Sequence, residues 1–115
     1  SVLVPLQCEF YALEGLSQLM RTIASVQGGL NRQLAVQGIV LTMYDGRNKL
    51  SEQVANDVRT HLGNLVYNTV IPRNVRVSEA PSFGQPVLIY DLNCAGAKAY
   101  IALAAELLEQ EKEAA

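Results

Sequence analysis

Three short stretches hold most of the side chains able to bind a ligand: Gln7 to Glu9, Thr42 to Arg47 and Pro72 to Arg76. Each follows a run of apolar, often β-branched residues. Together they offer two carboxylates (Glu9, Asp45), three arginines (Arg47, Arg73, Arg76), side-chain amides (Gln7, Asn74) and a few flat or soft apolar groups such as Pro72 and Met43. That mixture suits a polar ligand with a planar component. In open α/β sheets ligands bind beyond the carboxyl ends of the strands, so the three stretches are expected to meet in space.

Other chemistries lack their components. None of the glycines, at positions 15, 28, 29, 38, 46, 63, 84 and 96, opens a G-x-x-x-x-G-K-[ST] phosphate loop or a G-x-G-x-x-G turn. The single histidine, His61, sits beside Arg59 and Thr60 on the polar side of its segment and reads as a solvated residue. Cys8 and Cys94 lie far apart in apolar company and read as small buried hydrophobes, not as a disulfide or a metal pair. Zinc sites and Cys-His dyads are therefore without parts, and no metal is expected.

The elements that must position these residues follow from periodicity. Val2 to Leu6 fits a strand buried on both faces, as in a parallel sheet. From Phe10 the period turns helical, with Phe10, Leu13, Leu16, Met20, Ile23 and Val26 on one side, and it stops at Gly28 and Gly29. Val36 to Tyr44 has the length and composition of a second buried strand. Asp45 to Asn48 then forms a polar loop, and Ser51 is expected to cap a helix whose stripe is Leu50, Val54, Val58 and Leu62, ending at Gly63. Leu65 to Ile71 reads as a third strand, halted by Pro72. Between Pro72 and Asn93 a short helical stretch is expected around Ser78 to Ser82, with Val87 to Tyr90 as strand or packed loop. A last helix runs from about Ala95 to Gln110 with Ala97, Tyr100, Ile101, Ala104, Leu107 and Leu108 inward.

This order is the α/β alternation of a parallel sheet with crossover helices. Three strands make a narrow sheet with edges of buried-type sequence. The chain is therefore expected to be the carboxyl-terminal part of a wider, doubly wound, mostly parallel sheet whose other strands lie upstream. Half of the 115 residues are apolar, 17% are charged and the formal net charge is −2, a profile that excludes disorder and collagen. A chain of this size buries roughly two-thirds of its unfolded surface and needs no disulfide or metal to hold a core. No apolar run approaches the ~20 residues that cross a bilayer, and no signal peptide precedes the first strand, so a soluble intracellular protein is expected. Glu106, Glu109, Glu111 and Glu113 against Lys112 make the tail acidic and leave the remainder near neutral. That balance excludes nucleic-acid binding by bulk charge but not by a local basic patch.

The stretches VPLQCEFYALEGL (4–16), LTMYDGR (41–47) and IPRNVRVSEAPSFG (71–84), with Tyr90-Asp91 leading into AGAKAY (95–100), resemble the bacterial ParA/Soj chromosome-partitioning ATPases over essentially the whole chain. The match corresponds to the carboxyl-terminal half of that family, a P-loop NTPase fold of the deviant Walker type, so residues 1–115 are expected to form a single domain fragment. The family's phosphate loop, switch residues and Mg²⁺-binding acidic strand would lie before Ser1. The resemblance implies ATP with Mg²⁺ as cofactor in the full-length protein. It also implies that the fragment alone has no catalytic residue, does not turn over ATP and does not hold it tightly.

The resemblance further implies a cytoplasmic, nucleoid-associated protein whose ATP-bound homodimer coats DNA without sequence preference. A ParB-like centromere-binding partner stimulates hydrolysis and release, and no membrane is involved. Pro72, Arg73 and Asn74 look like the family's adenine-side loop, Thr42 and Met43 would line the other side of the base, and Glu9 resembles a carboxylate that reaches a ribose hydroxyl. Arg47 and Arg76 are the candidate DNA contacts, with Lys49 and Lys98 behind them. Plainer roles stand beside these: Arg73 could pair with Glu79 or Asp91, Met43 could be core, Glu9 could serve the helix dipole, and the arginines could be solvated loop residues. Two other functions fit an α/β chain of this kind. One is a non-enzymatic protein-interaction module; the other is a related sandwich ATPase, though the acidic tail speaks against the septum-placing type, which ends in a basic amphipathic helix.

Overall fold

A computed structural model describes residues 1–114. Strands β1 (Val2–Gln7), β2 (Val36–Tyr44) and β3 (Val66–Pro72) form one parallel sheet in the order β1-β2-β3. Helix α1 (Ala12–Gly28) joins the first two strands; α2 (Lys49–Leu62) and a 3-10 turn (Gly63–Leu65) join the next two. The long connection after β3 winds into α3 (Val75–Glu79), a 3-10 turn (Ala80–Phe83) and α4 (Val87–Tyr90) before α5 (Ala95–Ala114).

The unbroken apolar run of β2 is explained by burial on both faces. Ile39 and Leu41 are fully buried toward α1 and α2, against Leu16, Val54 and Val58, while Val40 joins Tyr67, Ile71 and Leu103 under α5. Helices on both faces make the sheet doubly wound, as the alternation of elements predicts. Strand β1 departs from expectation: Val4 is buried, but Leu3, Pro5 and Gln7 are exposed, because α5 packs over β3 and leaves that face of β1 bare. The backbone N–H groups of Val2 and Cys8 donate toward β2, at 2.8 and 3.0 Å. By the two-residue alternation of a strand, the nitrogen of Pro5, which carries no hydrogen, therefore faces outward.

Several boundaries are corrected. Helix α1 begins at Ala12, not Phe10, because the Ala12 N–H closes a turn on the Glu9 carbonyl, at 3.0 Å. Phe10 and Tyr11 are left outside as an edge-to-face pair, 73% and 71% exposed. The cap of α2 is Asn48, whose Oδ1 accepts the Leu50 N–H at 2.9 Å, while Ser51 is buried within the helix. Asn74 caps α3 in the same way, starting it ahead of Ser78, and Val87–Tyr90 is a helical turn behind Pro86.

Helix α5 extends to Ala114, and its inward line differs from the apolar stripe. Ala97, Ala99, Leu103 and Leu107 face the sheet, whereas Tyr100, Ile101, Ala104 and Leu108 are exposed. Two polar side chains set this rotation. The Glu106 carboxylate accepts the backbone N–H groups of Asn68 and Thr69 on the edge strand β3, at 2.7 and 2.9 Å. The Gln110 amide donates to the Gln37 carbonyl at 2.8 Å and accepts the Tyr67 hydroxyl at 2.8 Å. Gly38 leaves the space for that tyrosine, since a Cβ there would run into its ring.

Candidate functional site

At the carboxyl end of the sheet a cleft of about 230 Å³ opens between the strand ends and the α3 segment. Its walls include Pro5 and Gln7 of β1, Thr42 and Met43 of β2, and Pro72 of β3. Asn74 and Ser78 close one side and Tyr100 of α5 another. Gln7, Thr42, Met43, Pro72 and Asn74, drawn from all three sequence stretches, are thus brought together.

Met43 is held there by backbone geometry. The β2–β3 register slips between Leu41 and Tyr44, and Met43 adopts φ = 54°, the left-handed region. For a residue with a Cβ this costs about 1 kcal/mol or more, and such bulges re-aim a side chain at the end of a strand. The slip is pinned on its far side by the Arg73 N–H, which donates to the Tyr44 carbonyl at 2.9 Å. Asn74 spends its Oδ1 on the Arg76 N–H, at 2.9 Å. Its amide nitrogen can still serve a ligand.

Other expected residues lie apart from this cleft. The Arg73 side chain is exposed and, among the described residues, forms no ion pair; the partners anticipated for it belong to Arg76. Arg76 places Nη1 3.3 Å from Glu79 and Nε 3.4 Å from Asp91. Glu9 lines a separate shallow depression with Leu6, Gln7, Tyr11 and Gly15, and lies three residues ahead of α1, so the acidic group in the first helical turn is Glu14 instead. Arg47 projects into solvent and pairs with Asp45 at 3.2 Å. The Arg47 side chain, then its backbone N–H, hold the Asp45 carboxyl below the usual carboxylate range.

Sequence reasoning missed Ser78 and Tyr100. The available signal was Gly96: a Cβ there would collide with Val77 and come 3.5 Å from the Asn74 Cβ, so only a glycine lets α5 approach α3 this closely. Tyr100 follows one turn later on the same face. Cys8 is buried as expected, and burial pushes its thiol pKa up. Cys94 is only half-buried, and its Sγ accepts the Ala97 N–H at 3.4 Å, a cap for α5 that the buried-hydrophobe reading did not foresee. His61 is exposed, with Nδ1 on the Asp57 carbonyl at 2.7 Å.

The donor set decides what the site can hold. Its walls are flat at Pro72 and Tyr100 and soft at Met43, with amide and hydroxyl groups at Gln7, Thr42, Asn74 and Ser78. Among the described residues no three His, Cys, Asp or Glu side chains gather to hold a metal ion, and the cleft lining carries no carboxylate with which to ligate Mg²⁺. None of the described helices is long and apolar enough to cross a membrane.

The sequence profile of the CobQ/CobB/MinD/ParA nucleotide binding domain matches residues 5–87, a span that holds every cleft residue named here except Tyr100. The chain belongs to this family. It is 68% identical over 113 residues to the chromosome partitioning protein ParA of Caulobacter vibrioides, covering 98% of the chain and 42% of that relative. It is 52% identical over 110 residues to the chromosome-partitioning ATPase Soj of Treponema pallidum, covering 96% of the chain and 44% of the relative. A third relative, the sporulation initiation inhibitor protein Soj of Bacillus subtilis, is 52% identical over 107 residues, with 93% and 42% covered. The chain spans less than half the length of these curated relatives.

Proposed function

We propose that the chain is the carboxyl-terminal half of an ATP-dependent chromosome- or plasmid-partitioning protein and supplies its adenine-side and DNA-binding surfaces. The observation that carries this reading is the meeting of Met43 and Pro72 across one cleft within the segment that matches a nucleotide-binding family. Thr42 and Met43 would lie on one side of the purine and Pro72 and Asn74 on the other, with the Arg73 side chain outside the cleft at its rim. Methionine gives a polarisable contact, and the Asn74 amide can donate to a ring nitrogen. Glu9, in its own depression beside Gln7, would reach a ribose hydroxyl from the partner subunit of a homodimer. Phosphate and Mg²⁺ would be held by parts of the protein outside these 115 residues, and no hydrolytic step is assigned to this chain.

Arg47, on the loop after β2, and Arg76, in α3 after β3, are proposed to contact DNA phosphates. Such contacts are blind to sequence, and each phosphate neutralised contributes ~0.9 to the slope of log K against log salt. Two cations per subunit bind feebly, but a dimer doubles them, and neighbouring dimers on one duplex add avidity. A ParB-like protein is the proposed stimulating partner, and the nucleoid in the cytoplasm the proposed location. In the full-length protein, Arg47→Glu with Arg76→Glu should abolish retention on duplex DNA at moderate salt while ATP binding stays near the parent's. Undiminished retention by the double variant would refute the DNA assignment.

A further inference from the structure

Arg76 is the most heavily countered cation in the structure. Its guanidinium lies between Glu79, which ends α3, and Asp91, which follows α4, at 3.3 and 3.4 Å. One positive charge faces two negative ones, so the cluster is net acidic as it stands. Glu79 is fixed in turn by the Tyr90 hydroxyl, which donates to it at 2.7 Å, and the Tyr90 ring stacks on Phe83 at 5.1 Å between centroids. Arg47, by contrast, has the single carboxylate of Asp45.

We propose that Glu79 and Asp91 are positioning residues for Arg76: they hold its guanidinium as internal stand-ins for phosphate oxygens, and a DNA backbone binds there by displacing them. This rests on the reading of Arg76 as a DNA contact. The Glu79 carboxylate accepts from Nη1 and the Asp91 carboxylate lies against Nε, so each faces one of the two edges, Nη1 with Nη2 and Nε with Nη2, on which a phosphate can sit in bidentate contact. Side-chain exposures of 54% for Arg76, 38% for Glu79 and 33% for Asp91 leave the pairs open to a competing anion. Pairs this exposed are weak enough to exchange. The displaced carboxylates take up cations from solvent, which offsets part of the counterion release from DNA and flattens the salt dependence.

The test uses the full-length protein, loaded with ATP, and a duplex of arbitrary sequence. Glu79→Gln and Asp91→Asn should each tighten binding by roughly two- to fivefold and steepen the salt slope. In an Arg76→Gln background the same substitutions should give no gain, which separates action through Arg76 from a general loss of negative charge. Tyr90→Phe, which keeps both carboxylates, should retain the parent's slope, and Glu79→Asp should return affinity toward the parent's. If Glu79→Gln and Asp91→Asn bind no tighter than the parent, or gain equally without Arg76, the positioning role is overturned while Arg76 remains a DNA contact. If Arg76→Gln binds as well as the parent, the DNA reading fails first and the positioning role falls with it.

Discussion

Met43 shows how a single backbone angle serves the cleft. Its positive φ is a conformation in which glycine is unstrained and β-branched residues are crowded. Met43→Gly should keep stability within ~1 kcal/mol of the parent, because relief of strain offsets the lost packing and the extra unfolded-state entropy. Met43→Val should cost about 1–2 kcal/mol more than that. Denaturant unfolding of the two variants checks the order, and a valine variant as stable as the glycine variant would show that the angle stores no strain. Both should weaken nucleotide binding by the full-length protein if the side chain contacts the base. Part of the cleft was legible in the sequence, because Thr42, Met43 and Pro72 directly follow or end apolar runs, whereas Ser78 and Tyr100 were missed and Glu9 and Arg73 lie outside it. The angle was not, since nothing marks a methionine for the left-handed region. Nor was the choice between Arg73 and Arg76 as the partner of Glu79. That choice turns on where Asn74 starts α3, which places Arg76 and Glu79 three residues apart on one helical face.

At the scale of elements, α5 is fixed by two polar residues on its inner side. Burial pushes the Glu106 carboxyl pKa up, but the N–H donors of Thr69 and Asn68 outweigh it, and the net effect holds the group below the usual carboxylate range. A group depressed on folding stabilises above its unfolded pKa, ~4.3 for glutamate, and loses that contribution as pH falls through the folded value. Glu106→Gln should therefore cost about 1–2 kcal/mol at neutral pH and flatten the acid limb of the stability profile. Unfolding midpoints measured between neutral pH and strong acid test this, and a variant whose acid limb matches the parent's would remove Glu106 from the account. Apolar periodicity alone turned α5 toward Tyr100, Ile101, Ala104 and Leu108. It failed because a glutamate and a glutamine take inward positions to satisfy the edge of β3 and the Gln37 carbonyl, and periodicity counts both as outward residues. The buried strand β2 and the helices α1 and α2 were readable because their inner faces are mostly apolar, with Ser51 buried in α2 and Phe10 left outside α1 as the exceptions.

For the molecule as a whole, the sheet presents at one end a cleft of about 230 Å³ and two arginines, Arg47 on the loop after β2 and Arg76 in α3, yet its sequence holds no glycine-rich phosphate loop. The isolated 115 residues should accordingly show no ATP turnover. Phosphate release by the pure chain above the blank would contradict that. The sequence foretold the parallel, two-sided sheet but placed β1 in a fully buried setting, since a run of Val, Leu and Pro does not reveal which face a distant helix will cover.

Pro5 carries one more consequence. Along the outer margin of β1, the amides of Leu3 and Gln7 face outward with a proline between them, so a ribbon annealed there loses the middle rung of its ladder. The margin can accept one well-matched neighbour, but it is a poor template for copy after copy stacking into a fibril.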